Sequence, residues 1–208
     1  PQLVPFQFSV DQGYLLIFSD REMSVVANGA PVLNDPVNIT AVTSAVTGTF
    51  STATAHGFST SDWVYLANLQ GLTDLNNQMW AVNTVPTTGS FTLKSILTDS
   101  IINTTTYSAY TTGGTAASLF VLVTPWVSAD LAALKWAQSA DVMTITHPSY
   151  RPHDIARVDL NTWTLTTTSF SHTYVTPNTY TRTLTVTDNL GLIATAVNQA
   201  VVIAPPPV

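Results

Sequence analysis

The chain has 208 residues, enough for one or two domains with a sizeable core. Only 9% of them are charged, against about 25% in an ordinary soluble domain. A net charge of −6 with no basic stripe argues against tight nucleic-acid binding, the absence of cysteine excludes disulfides, thiolate zinc sites and cysteine nucleophiles, and the longest apolar runs are too short to span a bilayer. Thr, Ser, Asn and Gln replace the missing charge. Lys94 and Lys135 are the only lysines, so strand edges lack a common protection against edge-to-edge pairing and are expected to be covered by neighbouring subunits.

Apolar residues recur mostly with period two, in short runs bounded by Gly, Pro, Asn and Asp, which predicts an all-β protein of several small barrel or sandwich modules with one short helix. The chain starts at Pro1 with no initiator Met and nothing like a signal peptide, which suggests a fragment or a processed chain. Strands are expected from Tyr14 to Phe18 and from Met23 to Ala27. Asn28-Gly29 then marks a type I′ hairpin turn, whose two central residues need positive φ.

Residues 37–118 form a Thr-rich block with little charge, expected to be an inserted small β-barrel. Its strands should lie at Trp63 to Leu66, Met79 to Val85 and Phe91 to Leu93. The order His56-Gly57, Asp62-x-Val64, Gly71-Leu72-x-x-Leu75-Asn76, then Val82-x-x-Val85 and Phe91-x-Leu93, resembles the small domain named for the catalytic-cysteine half of ubiquitin-activating enzyme. Ser61 stands where that pattern usually has Gly. Without a cysteine or a nucleotide loop the resemblance implies a fold and no ubiquitin chemistry, and similar modules occur in phage structural proteins. Trp63 and Trp80 have the chemistry to stack on sugar rings, but strand aromatics in a small barrel are expected to be core. Asn38-Ile39-Thr40 and Asn103-Thr104-Thr105 match the glycosylation sequon, a short pattern prone to chance matches in Thr-rich chains.

After Gly113-Gly114 the segment ADLAALKWAQ reads as the one helix, with Ser128 as N-cap, Asp130 in the first turn, and Leu131, Leu134 and Ala137 on one face. Residues Asp141 to His147 alternate as a strand that must stop at Pro148. The stretch from Leu134 to Pro152 gathers Trp136, Asp141, His147, Pro148, Tyr150 and Pro152, residue types favoured by active sites and interfaces alike. The plainer reading is a strand leaving a helix and turning sharply, with its His hydrogen-bonded to backbone. A metal site drawn from Asp141, His147, His153 and Asp154 matches no zinc spacing. No serine elbow is present, and Glu22 is the sole Glu, which leaves paired-carboxylate chemistry little to use. No catalytic, cofactor or metal residue is assigned.

From Phe170, the residues His172-Thr173-Tyr174, Tyr180, Leu184-Thr185-Val186-Thr187-Asp188 and Gly191 resemble the second half of a polycystic-kidney-disease repeat, an immunoglobulin-like sandwich. The matching first half is missing or rewritten around Asn161 to Thr168, so residues 166–208 are expected to be a partial segment with a proline-rich end at Pro205 to Pro207. Asp188-Asn189 with Gly191 has the residue types of a calcium loop and equally those of a turn.

Residues 1–36 and 119–165 together resemble the tail hub or nozzle proteins of short-tailed bacteriophages, the tail tubular protein B group. The resemblance is carried by Pro5-Phe6-Gln7-Phe8, Asp130-Leu131, Gln138 to Met143, His147-Pro148, Tyr150, Pro152, Arg157 and Trp163-x-Leu165. It implies a discontinuous domain interrupted by residues 37–118, and a non-enzymatic virion subunit of a ring. Trp136, Asp141, His147, Pro148, Tyr150, Pro152, Arg157 and Trp163 are then structural or interface candidates. Partners would be other virion proteins and copies of itself, with no cofactor, no membrane span and no sequence-specific nucleic-acid binding beyond passive passage of DNA. The alternative is an extracellular adhesin or carbohydrate-binding β-module.

Overall fold

The computed structural model describes residues 1–9, 12–168, 178–187 and 193–202. In chain order the strands are β1 (Gln2–Gln7), β2 (Gly13–Ser19), β3 (Glu22–Ala27), β4 (Ala30–Pro31), β5 (Val37–Val42), β6 (Thr49–Thr52), β7 (Trp63–Ala67), β8 (Gln78–Thr87) and β9 (Ser90–Lys94). They continue as β10 (Thr115–Ser118), β11 (Val121–Val123), β12 (Lys135–Ser139), β13 (Val142–His147), β14 (Tyr150–Asp159), β15 (Thr162–Thr167), β16 (Asn178–Thr187) and β17 (Ile193–Val202). Among the described residues, helical structure is confined to 3-10 turns of three residues, at Thr73–Leu75, Thr104–Thr106 and Leu131–Ala133. The protein is all-β.

Two compact units divide the chain: Pro31–Phe120, and Pro1–Ala30 with Val121–Val208. The first is a closed barrel in the order β10-β5-β6-β9-β8-β7. Closure leaves no free strand edge in that ladder, the surest way to prevent edge pairing. Phe50, Val64, Leu66, Leu69, Leu75, Val82, Phe91 and Leu93 fill it with no accessible surface. Leu33 bridges Leu119, and the Asn34 amide donates to the Ser118 carbonyl at 2.9 Å, so the chain enters and leaves this unit side by side.

The second unit holds the sheet β1-β2-β3-β11, with β4 pairing off β3, and the sheet β12-β13-β14-β15. Both are antiparallel, and alternation sends one face of each inward. Phe6, Tyr14, Leu16, Phe18, Met23 and Val25 come from the first sheet, and Met143, Ile145, Ile155 and Trp163 from the second; all are buried. Edge-on aromatic contacts bind the two layers: Phe6 to Trp163 at 4.9 Å, Tyr14 to Trp163 at 5.6 Å, and Trp126 to both Phe18 (5.8 Å) and His153 (5.5 Å). The Asn28-Gly29 turn between β3 and β4 has φ of 51° and 78°, the two positive values that a type I′ turn requires. β16 and β17 form a two-stranded antiparallel ladder. His172-Thr173-Tyr174, Asp188, Asn189, Gly191 and Pro205 to Pro207 lie outside the described residues.

The expected helix at ADLAALKWAQ is replaced by a single 3-10 turn followed by strand β12. Ser128 does not cap it; the Ser128 amide and hydroxyl both donate to Asp20 Oδ1, at 2.8 and 3.2 Å. Leu131 and Leu134 are buried, but Ala137 belongs to the strand, opposite Thr144. Cross-strand pairing of Trp136 with Ile145 and Gln138 with Met143 overrides local helix propensity here.

Candidate functional site

Asp130, His147 and Tyr150 meet in a polar cluster of the sandwich unit. β13 and β14 join through the two-residue turn Pro148-Ser149, which sets His147 against Tyr150 across the hairpin end with their rings 5.0 Å apart. The Tyr150 hydroxyl donates to Asp130 Oδ2 at 2.6 Å, and the Val127 amide donates to the same oxygen at 3.3 Å. His147 Nδ1 accepts the Ser149 amide at 3.0 Å. Its proton is therefore on Nε2, which faces Asp130 Oδ1 from 3.9 Å.

The electrostatics follow from this geometry. Donation by Tyr150 holds the Asp130 carboxyl below the ordinary carboxylate range, against the opposing effect of desolvation, with smaller help from the Val127 amide and His147. The same bond pushes the Tyr150 phenol up, since ionising it would place two anions together, and desolvation acts in the same direction. A carboxylate held by a phenol and an amide, beside an imidazole whose accepting nitrogen is already occupied, fastens the 3-10 turn to the hairpin.

The remaining sequence candidates are distributed through the same unit. Trp136 faces inward on β12, half-buried. Asp141 sits in the β12–β13 turn, where its carbonyl accepts the Arg157 amide at 3.1 Å. The Pro152 carbonyl accepts the Thr168 amide at 2.9 Å. The Arg157 guanidinium lies over the Phe8 ring at 4.2 Å and near Tyr14 at 5.2 Å, opposite Trp163 across the ladder. Trp163 Nε1 donates to the Leu160 carbonyl at 3.1 Å. His153 Nδ1 lies 2.7 Å from the Arg151 carbonyl, while Asp154 accepts from Thr144 at 2.6 Å. Among the described residues no three His, Asp or Glu side chains gather as a metal site would require.

Two connections went unread in the sequence. Asp130 belongs to the cluster as its acceptor, not to a helix N-terminus. Gln138 clasps the backbone of β1 twice: its Oε1 accepts the Gln7 amide at 3.0 Å and its Nε2 donates to the Gln7 carbonyl at 2.7 Å. Gln7 and Gln138 are 131 residues apart, and nothing local signals such a pair.

In the barrel, the motif residues hold turns. His56 is buried; its Nδ1 accepts the Phe58 amide at 3.0 Å, and Nε2 faces the Ser90 carbonyl at 3.3 Å. Asp62 accepts the Ser59 amide at 2.7 Å. Asn76 closes a two-point bond with the backbone of Leu69, both at 2.9 Å. Gly71 has φ of +94°, and a Cβ there would overlap the Ala109 carbonyl oxygen. Residues 43–119 match the family described as Ubiquitin-activating enzyme E1 FCCH domain. The matched stretch is well under half the chain, and the residues that carry the motif are spent on loop locks and core. No curated protein matches the chain.

Ser61, at the usual Gly position, has φ of 76°, which supplies the physical reason a glycine is favoured there. Trp80 is half-buried and donates to the Leu75 carbonyl at 3.1 Å. Trp63 departs from the core expectation: it is 47% exposed, because alternation along β7 turns Val64 and Leu66 inward. No helix of the described residues is long and apolar enough to cross a membrane.

Proposed function

We propose that this chain is a non-catalytic structural subunit of a bacteriophage virion, of the tail hub or nozzle, acting as one member of a ring with copies of itself and other virion proteins. What supports the reading is where the residues that resemble that family lie. Phe6, Gln7 and Phe8 meet Trp163, Gln138 and Arg157 respectively, although the two groups are separated by more than 120 positions. A pattern spent on joining two distant segments, with its His, Asp and Tyr engaged in a structural clasp, belongs to a scaffold. Net negative charge would let DNA pass a ring lumen without gaining affinity by counterion release. The test is the particle mass of the purified chain in solution. A stoichiometric closed assembly is expected, and a monomer at high concentration overturns the reading.

A second reading, an extracellular carbohydrate-binding or adhesive module, is favoured by one observation, the exposed Trp63. An indole with half its surface free is suited to stacking on a pyranose face. Glycan binding abolished by Trp63→Ala and retained in Trp80→Phe would establish it.

A further inference from the structure

We propose that the outer face of the β1-β2-β3-β11 sheet is a docking surface for the same face of a second copy of this chain. The inference rests on the subunit reading for its setting, and on the sheet for its evidence. Antiparallel sheets of this kind ordinarily cover a core with one face and present polar residues with the other. Here the outer face is mostly apolar as well. Cross-strand register aligns Leu3, Ile17 and Val121 in one row, interrupted by Ser24. Pro5, Leu15 and Val26 form the next. The third row runs Ser19, Glu22 and Val123, and Gln7 ends β1 on the same face, so the surface is mostly but not wholly apolar. Leu3 is 52% and Val123 75% exposed.

The second sheet of the same unit serves as an internal control. Its outer face carries Lys135, Ser139, Thr144, Asp154, Thr164 and Thr166 beside Ala137, Val142 and Ala156, a predominantly polar set in which Val142 is the one large apolar side chain. The apolar first face is therefore not a by-product of the chain's scarcity of charge.

Charge and area select the occupant. Two copies with net charge −6 repel over most approaches. This face has Glu22 as its single ionisable side chain, so two copies can meet here with little repulsion. Sheets of like twist stack face to face in near alignment, which makes the surface complementary to itself across a two-fold axis. Four strands at about 4.8 Å spacing and about five residues in length cover roughly 300 Å² per copy. The pair then buries roughly 600 Å², about half of the ~1,200 Å² at the lower end of stable interfaces, which fits only a weak, concentration-dependent contact. Such a two-fold contact is separate from the head-to-tail contact that closes a ring.

Sedimentation equilibrium of the full chain, from micromolar to several hundred micromolar, tests this with two doubly substituted variants. Leu3→Lys with Val123→Lys alters the apolar face at its most exposed positions, where folding is least affected. Ser139→Lys with Thr164→Lys adds the same charge to the control face. The expected result is reversible association of the wild type, a midpoint shifted at least tenfold to higher concentration in the first variant, and no comparable shift in the second. That outcome is diagnostic because both variants lower the net negative charge equally. Circular dichroism melts verify that each variant is folded. An assembly unaffected by the first variant, or affected equally by both, overturns the docking face and leaves the subunit reading standing. A wild type that stays monomeric throughout overturns both.

Discussion

In the Pro31–Phe120 barrel every strand of the closed ladder has a neighbour on each side, whereas in the sandwich unit β1, β11, β12 and β15 each end a sheet. The barrel gathers one apolar interior, leaving Val46, Trp63, Leu97 and Ile101 singly exposed, and commits His56, Asp62, Gly71 and Asn76 to turn locks. In the sandwich unit, aromatic contacts and the Gln7–Gln138 clasp fix the interior, but the first sheet keeps a second, mostly apolar face outward. The difference teaches where association should arise. A closed ladder satisfies its own edges, whereas the sandwich unit, whose first sheet is mostly apolar on both faces, is where the proposed contact with a second copy would form.

Substitutions on either side of this comparison should act on separate unfolding transitions, each followed by the amide exchange of its own strands. The largest effect is expected from Trp163→Ala, which removes the ring touching both Phe6 and Tyr14. It should cost about 3–5 kcal/mol and lower the sandwich transition while sparing the barrel; an equal drop in both would break the comparison. Gly71→Ala forces a Cβ into the Ala109 carbonyl at positive φ. It should cost about 2–3 kcal/mol, read as the opposite pattern of amide exchange. Ser61→Gly relieves left-handed strain at an exposed turn. A gain of about 0.5–1 kcal/mol in the barrel alone is expected.

The smallest effect is one of slope. Asp130 is depressed, so its contribution is present above its unfolded value of about 3.9 and fades as pH falls through the lower folded value. Tyr150 is raised, so its contribution is present below about 10 and fades as pH rises toward the higher folded value. Tyr150→Phe removes the main cause of the first shift and the whole of the second. Melting temperature against pH should flatten at both ends in this variant, and unchanged slopes would remove the clasp from the account.

Much of the strand pattern was legible because short apolar runs such as Tyr14 to Phe18 and Trp63 to Leu66 are bounded by Gly13 and Asp20 or by Asp62 and Asn68. The barrel motif was legible for the same reason its residues matter: turns that need positive φ or a side-chain lock accept few residue types. The helix error at Leu131 to Gln138 has a specific origin. Gln138 stands on the inward side of β12, half-buried, and binds the β1 backbone, so a polar residue interrupts the period of two, while Leu131 and Leu134 mimic a helical repeat. Trp63 was misread because β7 is apolar on both faces, and hydrophobicity alone does not say which side is inside. The Asp130–Tyr150 bond joins residues 20 apart through a turn, a strand and a hairpin, a path without a local signature.

The side-by-side pairing of Leu33 with Leu119 and of Asn34 with Ser118 has a genetic corollary. A cassette whose two ends are stitched together can be exchanged, enlarged or dropped with little loop-closure cost to its host. Relatives of this chain should accordingly vary in what they carry at that junction while preserving the strands that flank it.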